Sequence, residues 1–273
     1  MRQLSHELNR NLKCYFALIK AYIAGSLLGK WSLCLYILGI FLMYLSSFIG
    51  LWLIMRRFHY INGWAFGDIL IIFSISLISY GFRNLFFIQF RRLGIMIKDG
   101  SLAVILTRPL NPFLYIMGNR FELGGISHVT LGILLLFIFK KEINVAWGIH
   151  NLVYFGLALI SATLVQGGVT VFIGSTAFFL TETTGLDRIY NGMREFIWYP
   201  ISLYNTLLKV VLFCIVPLAF ASYVPAGIFL NKPEYQQYPK WIWEASLLAG
   251  LVIFLLAYKF WEFSLNRYQS TGT

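Results

Sequence analysis

The chain has 273 residues, 59% hydrophobic and only 12% charged, where a soluble domain carries about 25% charged residues, so a water-soluble globule is excluded. Twenty-two Lys and Arg against eleven Asp and Glu give a net charge of +11. A polyanion-binding surface needs more solvated area than this composition supplies, so the charge belongs at lipid headgroups and nucleic acid is excluded as a partner.

The N-terminal segment, 1–30, has helical period. Leu4, Leu8, Leu12, Tyr15, Ile19, Tyr22 and Ile23 fall on one face, and Arg2, Arg10, Lys13 and Lys20 on another. That pattern suits an amphipathic helix lying in the membrane interface or packed on the protein's own cytosolic surface. It lacks the compact apolar region and small-residue cleavage site of a signal peptide, and is read as retained.

A bundle of spans is expected over 31–260, at about 20 apolar residues per crossing. The first span is Trp31–Met55, bounded by Lys30 and by Arg56 and Arg57. The second runs from Ile69 to Phe90, carries Ser74, Ser76 and Ser79, and ends in the basic stretch Arg83, Arg91, Arg92. A cytosolic segment, 91–118, follows. The third span begins amphipathically near Pro112, is fully apolar over Ile126–Phe139, and is closed by Lys140 and Lys141. The fourth, Trp147–Leu180, exceeds what a bilayer needs and is expected to tilt, bend or project.

The stretch 197–230 stays apolar but holds Pro200, Pro217 and Pro225, too many for one span. Span five is therefore placed at Ile189–Tyr204, and 205–230 is read as two short helices that dip into the membrane from outside and return. Trp241–Phe260 is the sixth span, with Lys240 and Lys259 as anchors. The fold class is thus an all-α polytopic membrane protein in one domain, 1–273. With both termini inside, the inner segments hold fifteen Lys and Arg and the outer ones seven, which favours the N-in, C-in orientation.

Catalytic and metal-binding patterns fail on particular residues. His6-Glu7 opens an HExxH pattern, but Arg10 stands where the second histidine belongs. Asp99-Gly100-Ser101-Leu102-Ala103 opens like the DGxxAR pattern of lipid-headgroup transferases, but Val104 replaces its arginine. Gly25 to Trp31 resembles a phosphate loop, yet is one residue short and ends in Trp rather than Ser or Thr. Cys14, Cys34 and Cys214 are an odd, widely spaced set without CxxC, and His59, His128 and His150 share no ligand spacing. No catalytic or metal site is expected, and no cofactor in this chain.

Three other features stand out. In the segment after span two, Gly100 can take the left-handed conformation that ends a helix, and Ser101 can cap the next. Leu102 to Leu106, with Ile105 among them, forms a short apolar helix, and Pro109 and Pro112 stiffen an exit from which Arg108 projects, with Asn111 between the prolines. Such a helix suits transmission of motion to a soluble partner; an ordinary connecting loop is the plainer reading. On the fourth span, Gly156, Thr163, Gly167, Thr170, Gly174 and Ala177 form a small-residue stripe for helix packing within the chain or across a dimer. Gln166 beside it leaves room for a translocation path. Arg188, Arg194 and Glu195 sit on span five, where an intrahelical or interfacial ion pair is the default and substrate entry the sharper alternative.

At these residues the chain resembles the membrane subunits of ABC-2 type exporters, in particular a small six-span bacterial branch. The likeness rests on Asp99-Gly100-Ser101-Leu102 followed by Leu106-Thr107-Arg108-Pro109-Leu110-Asn111-Pro112. It rests also on Tyr199-Pro200, then Ile215-Val216-Pro217, and Tyr223-Val224-Pro225-Ala226 before span six. The resemblance covers about Trp31 to Glu262. It implies an interfacial N-terminal helix, six spans, a coupling helix between spans two and three, and a re-entrant extracellular hairpin shaped by Pro217, Tyr223 and Pro225. It implies a bacterial inner-membrane permease that moves an amphipathic, drug, peptide or lipid-like cargo outward. Its partners would be a cytosolic ATPase pair, which holds ATP and Mg, and a second permease, identical or sister. Asp99, Gly100, Ser101, Leu102, Ile105, Arg108, Pro109 and Asn111 would meet the ATPase. A non-catalytic channel or scaffold subunit, or an intramembrane lipid-modifying enzyme, are the alternatives. The near absence of acidic residues within the spans argues against a channel.

Overall fold

A computed structural model describes residues 2–145, 147–180, 182–232 and 240–268; the side chains of 2–9, 12 and 240–245 fall outside that description. The apolar face expected of the first helix therefore rests partly on undescribed residues, Leu4, Leu8 and Leu12 among them, as does the anchor Lys240. Helix α1 (Arg2–Ser26) leads through one 3-10 turn, Leu27–Gly29, into α2 (Lys30–Phe58). Gly29 departs from helical geometry at φ −100° and ψ 51°, which breaks the run. A two-stranded turn pairs β1 (Tyr60–Ile61) with β2 (Trp64–Ala65), antiparallel. Asn62 and Gly63 close it with positive φ, the backbone a two-residue hairpin of this hand requires.

Helix α3 (Phe66–Phe87) starts where the Asp68 carboxylate accepts the Ala65 amide at 2.9 Å. A 3-10 stretch, Ile88–Arg92, carries it into α4 (Leu93–Lys98), followed by α5 (Ser101–Leu106), α6 (Pro112–Asn119) and α7 (Gly125–Ile138). Next come α8 (Ile149–Ser175), α9 (Thr184–Glu195), α10 (Thr206–Val210) and α11 (Tyr223–Phe229). Lys240–Leu265 forms the last helix, α12.

Among the described residues, four helical runs are long and apolar enough to cross a membrane: Lys13–Phe58, Phe66–Lys98, Ile149–Phe178 and Ser246–Leu265. The most apolar stretch of the second is 89% buried, against 17% in the first and the last. Helix α3 is therefore the axis, and α2 and α12 are outer walls whose exposed leucines and phenylalanines suit lipid. Two of the six expected spans are interrupted. The third divides into α6 and α7 at the non-helical residues 120–124, and α7 alone, at 14 residues, reaches about 21 Å. The fifth stops being α-helical at Glu195 and continues as 3-10 turns at Phe196–Trp198 and Ile201–Leu203. Pro200 is the cause: the residue before a proline is driven out of the helical region, and Tyr199 is extended at φ −116°, ψ 159°.

Glycines set the helix spacing. A Cβ on Gly81 would lie 2.7 Å from the Gly125 carbonyl oxygen, and one on Gly125 2.5 Å from that of Gly81, so α3 and α7 cross backbone to backbone. Gly174 meets the Phe90 backbone and Gly250 of α12 the Ser161 backbone of α8 in the same way, while Gly167 makes room for the Phe87 ring. Gly167 and Gly174 of the small stripe thus pack within the chain, whereas Gly156 faces open space and Thr163 donates back to the Leu159 carbonyl at 2.7 Å.

After α10, a π-helical stretch, Val211–Ile215, leads to a turn at Val216 and Pro217, then a 3-10 turn, Leu218–Ala221, and α11. This second arm is buried against α3, α8 and α12. Non-helical backbone at that depth needs protein partners, and Ser222 supplies one by donating to the Ile197 carbonyl at 2.8 Å. Pro225 lies in the first turn of α11, where its missing amide costs no helical hydrogen bond, and the Tyr223 ring sits 5.5 Å from that of Trp64.

Candidate functional site

Two places gather polar or charged groups that packing alone does not explain. The first is the α4–α6 segment. Helix α4 ends on Gly100 at φ 72°, as expected. The cap of α5 differs from expectation: the Ser101 hydroxyl does not cap, and the Asp99 carboxylate accepts the Ser101 amide at 3.0 Å instead. Hydrogen bonding from Ser101 holds the exposed Asp99 carboxyl below its ordinary value. Asn111 caps α6 by accepting the Leu114 amide at 3.2 Å, with Pro112 at the first helical position.

One side of α5 is buried. Leu102 and Ile105, expected at a partner surface, turn inward onto a cluster with Phe90, Leu93, Phe113, Ile116, Ala177 and Trp261. Three of these rings interlock, with centroids at 4.7 Å for Phe90–Phe113, 5.5 Å for Phe90–Trp261 and 6.1 Å for Phe113–Trp261. The cluster thereby joins α5 to the ends of α3, α8 and α12. The opposite side shows Asp99, Val104, Thr107, Arg108 and Pro109 to solvent. Arg108 stacks on Tyr115, 4.9 Å from its centroid. Helix α1 straps the exit: Arg10 donates to the Pro109 carbonyl at 3.1 Å, and the Asn111 amide donates to Asn11 at 3.4 Å.

The second place lies inside the bundle, where α2, α3, α8 and α9 meet. Arg83, expected in the basic stretch at the end of span two, is instead fully buried in α3. Its Nε donates to Thr170 at 2.6 Å and its Nη1 to Asn84 at 2.7 Å. Thr170 donates to the Gln166 carbonyl at 2.8 Å, and Gln166 Nε2 donates to Ser79 at 2.6 Å, which extends the polar seam along α3 and α8. Arg194, 4% exposed, donates to the Tyr44 hydroxyl at 3.0 Å and lies 3.8 Å from the Tyr80 centroid and 5.3 Å from that of Trp198. Arg83 lies 5.3 Å from the centroids of the same Tyr80 and of Tyr190.

Among the described residues, the ion pair expected around Arg194 does not form. Residues 194 and 195 point apart on the helix, so Arg194 turns inward while Glu195 and Arg188 are exposed. With Arg83 and Arg194 buried, thirteen of the fifteen cations expected on the inner side remain, against seven expected on the outer side. Nearer the α4 end, Arg91 pairs with Asp187 at 3.0 Å beside a cleft of about 350 Å³ that Arg92, Arg120 and Glu122 also line. One signal in the sequence pointed to Arg83: an arginine seven residues before the end of an apolar run lies inside a span, and such a charge marks a functional site by default.

The family model for ABC-2 family transporter proteins matches residues 41–272. No curated protein and no solved structure matches the chain.

Proposed function

Because the chain belongs to the ABC-2 transporter family, we propose that it is the permease subunit of an ATP-driven exporter and that α5 with Arg108 is where a cytosolic ATPase engages it. The observation that supports this most is the two-sidedness of α5. Its exposed side offers Asp99, Val104 and Arg108, and its buried side, through Leu102 and Ile105, is wedged into an aromatic cluster shared with three membrane helices. Interiors are close-packed and transmit displacement, so a push on α5 is delivered to the ends of α3, α8 and α12.

In this reading the membrane is crossed six times, by α2, by α3, by α6 with α7, by α8, by α9 with its following turns, and by α12. Both termini face the cytosol of a bacterial cell, and 206–229 forms a re-entrant hairpin on the outer side. ATP and Mg bind in the ATPase pair, whose closure moves α5. A second permease, a copy or a sister, completes the pathway, and cargo leaves outward as the two halves rock. Thr163, Gln166, Gly167, Thr170, Gly174, Arg194 and Glu195 belong to packing or to that pathway.

Purification of the tagged full-length chain from its host in mild detergent, with mass spectrometry of what accompanies it, tests the reading. A roughly stoichiometric ABC ATPase is expected, and a second permease beside it would distinguish a heterodimer from a homodimer. A chain that comes alone even after crosslinking would overturn the proposal.

A further inference from the structure

We propose that Arg83 and Arg194 form a binding site for the anionic head, phosphate or carboxylate, of an amphiphilic molecule; the inference rests on the exporter reading only in taking that molecule as cargo. Both guanidiniums are at least nine-tenths buried. Among the described residues, the ion pairs are Arg91–Asp187, Lys232–Asp68 and Lys259–Glu262, and neither of these two arginines takes part in one. Burying a cation without a counter-charge costs several kcal/mol. The neutral hydrogen bonds to Thr170, Asn84 and Tyr44 and the rings of Tyr44, Tyr80, Tyr190 and Trp198 offset part of that cost.

Gln166 Oε1, His128 Nε2 and the Tyr190 hydroxyl are buried nearby without a hydrogen-bond partner among the described residues, and four N–H donors are in the same position. Arg83 Nη2, Arg194 Nε and Nη1, and Trp198 Nε1 are buried N–H donors without a hydrogen-bond partner among the described residues. The two guanidiniums share the Tyr80 ring, at 5.3 Å for Arg83 and 3.8 Å for Arg194, which gathers both cations about one side chain. Nε and Nη1 of Arg194 lie on two edges of its guanidinium, either of which can donate to a carboxylate or phosphate oxygen, while Nη2 is held by Tyr44. An anion there would satisfy those donors and neutralise the charge at once. The site lies inside a bundle of apolar helices, away from bulk water, which suits a head attached to an apolar body more than a strongly hydrated free ion. The cleft lined by Arg91, Arg92, Arg120 and Asp187 lies about two helical turns along the chain from Arg83 and from Arg194, and the Arg91–Asp187 pair forms part of its wall.

The test uses the purified full-length chain in an uncharged detergent, with dodecyl phosphate, dodecyl maltoside and inorganic phosphate as probes, read by thermal stability. Dodecyl phosphate is expected to raise the melting temperature saturably, and dodecyl maltoside to leave it unchanged. Arg194→Gln should weaken the dodecyl phosphate response at least about ten-fold, and Arg194→Lys, which keeps charge but loses the planar set of donors, should weaken it less. Trp198→Phe keeps the ring and removes one donor, so it provides a milder variant if the arginine variants fail to fold. Protection by inorganic phosphate with the same residue dependence would also support the site and assign a free anion as its ligand. An unchanged melting temperature with both anions, or a response undiminished in all three variants, overturns the proposal. In unsubstituted protein, a photoreactive alkyl phosphate should label α3 and α9 around Tyr80 and Arg194, and labelling elsewhere alone would overturn it too. None of these readouts needs an ATPase, so loss of the exporter reading and loss of the anion site are separate results.

Discussion

Arg108 and Arg194 each lie against an aromatic ring, one at the surface of the α4–α6 segment and one at the heart of the bundle. Arg108 keeps its contact with water while stacked 4.9 Å from Tyr115, an arrangement that stabilises by about 0.5–1 kcal/mol and costs nothing in desolvation. Arg194 has Tyr80 at 3.8 Å, Tyr44 and Trp198 close by, and almost no water. The same pairing is a modest surface contact in one place and a retained electrostatic penalty in the other. A penalty that folding alone would remove points to use, so the buried cation is read as a binding group and the exposed one as a docking group.

Substitutions sharpen that contrast. The largest effect on stability is expected at the root of the surface site. Trp261→Ala would empty the centre of the Phe90–Phe113–Trp261 cluster and cost about 3–5 kcal/mol. It should also uncouple ATP hydrolysis from cargo in purified complex, because α5 loses its seat. Arg194→Met is next and has the opposite sign. Exchanging a buried cation that has no ion pair among the described residues for an apolar side chain should be neutral or stabilise by about 1–4 kcal/mol, seen as an equal or higher melting temperature, while cargo stimulation of the ATPase disappears. A clear loss of stability would break the comparison, because it would make Arg194 a structural residue.

Arg108→Met should change stability by less than about 1 kcal/mol, and Arg108→Glu should abolish stimulated hydrolysis with membrane insertion intact. The smallest effect is at Asp99. Its carboxyl is held below the ordinary value by Ser101, so the stabilisation it gives α5 is present above the unfolded carboxylate value of 3.8 and lost as pH falls through the lower folded one. Amide exchange at 101–106, corrected for chemical rates, should speed up below that pH, and Asp99→Ala should show the faster exchange at every pH.

What the sequence revealed and what it hid follow from the range of the forces involved. Long apolar runs bounded by cations marked Trp31–Met55, Ile69–Phe90 and the fourth span because insertion depends on composition over about 20 residues. The turn at Gly100 was equally legible, since a left-handed backbone is a local demand. The interruption at residues 120–124 was not, because no proline marks it. Pro200 is a legible helix breaker, yet its effect on the fifth span, two 3-10 turns in place of a helix, depends on the packing around it. The inward turn of Leu102 and Ile105 depends on Phe113 and Trp261, which arrive from other elements. The burial of Arg83 is hidden from the sequence for a related reason. Its neighbours Arg91 and Arg92 make a basic helix end look continuous, and only Thr170 and Tyr190, about 90 and 110 residues away, reveal an interior charge.

The central claim is that the exposed side of α5 receives an ATPase, and site-specific photo-crosslinking in native membranes tests it most directly. A photoreactive residue at Val104, which is 57% exposed, should crosslink to an ABC ATPase, and one at Ile105, 6% exposed on the opposite side, should not. Crosslinks to an ATPase from 104 and none from 105 are the predicted result. No ATPase adduct at 104, with the chain folded and membrane-inserted, would contradict the account.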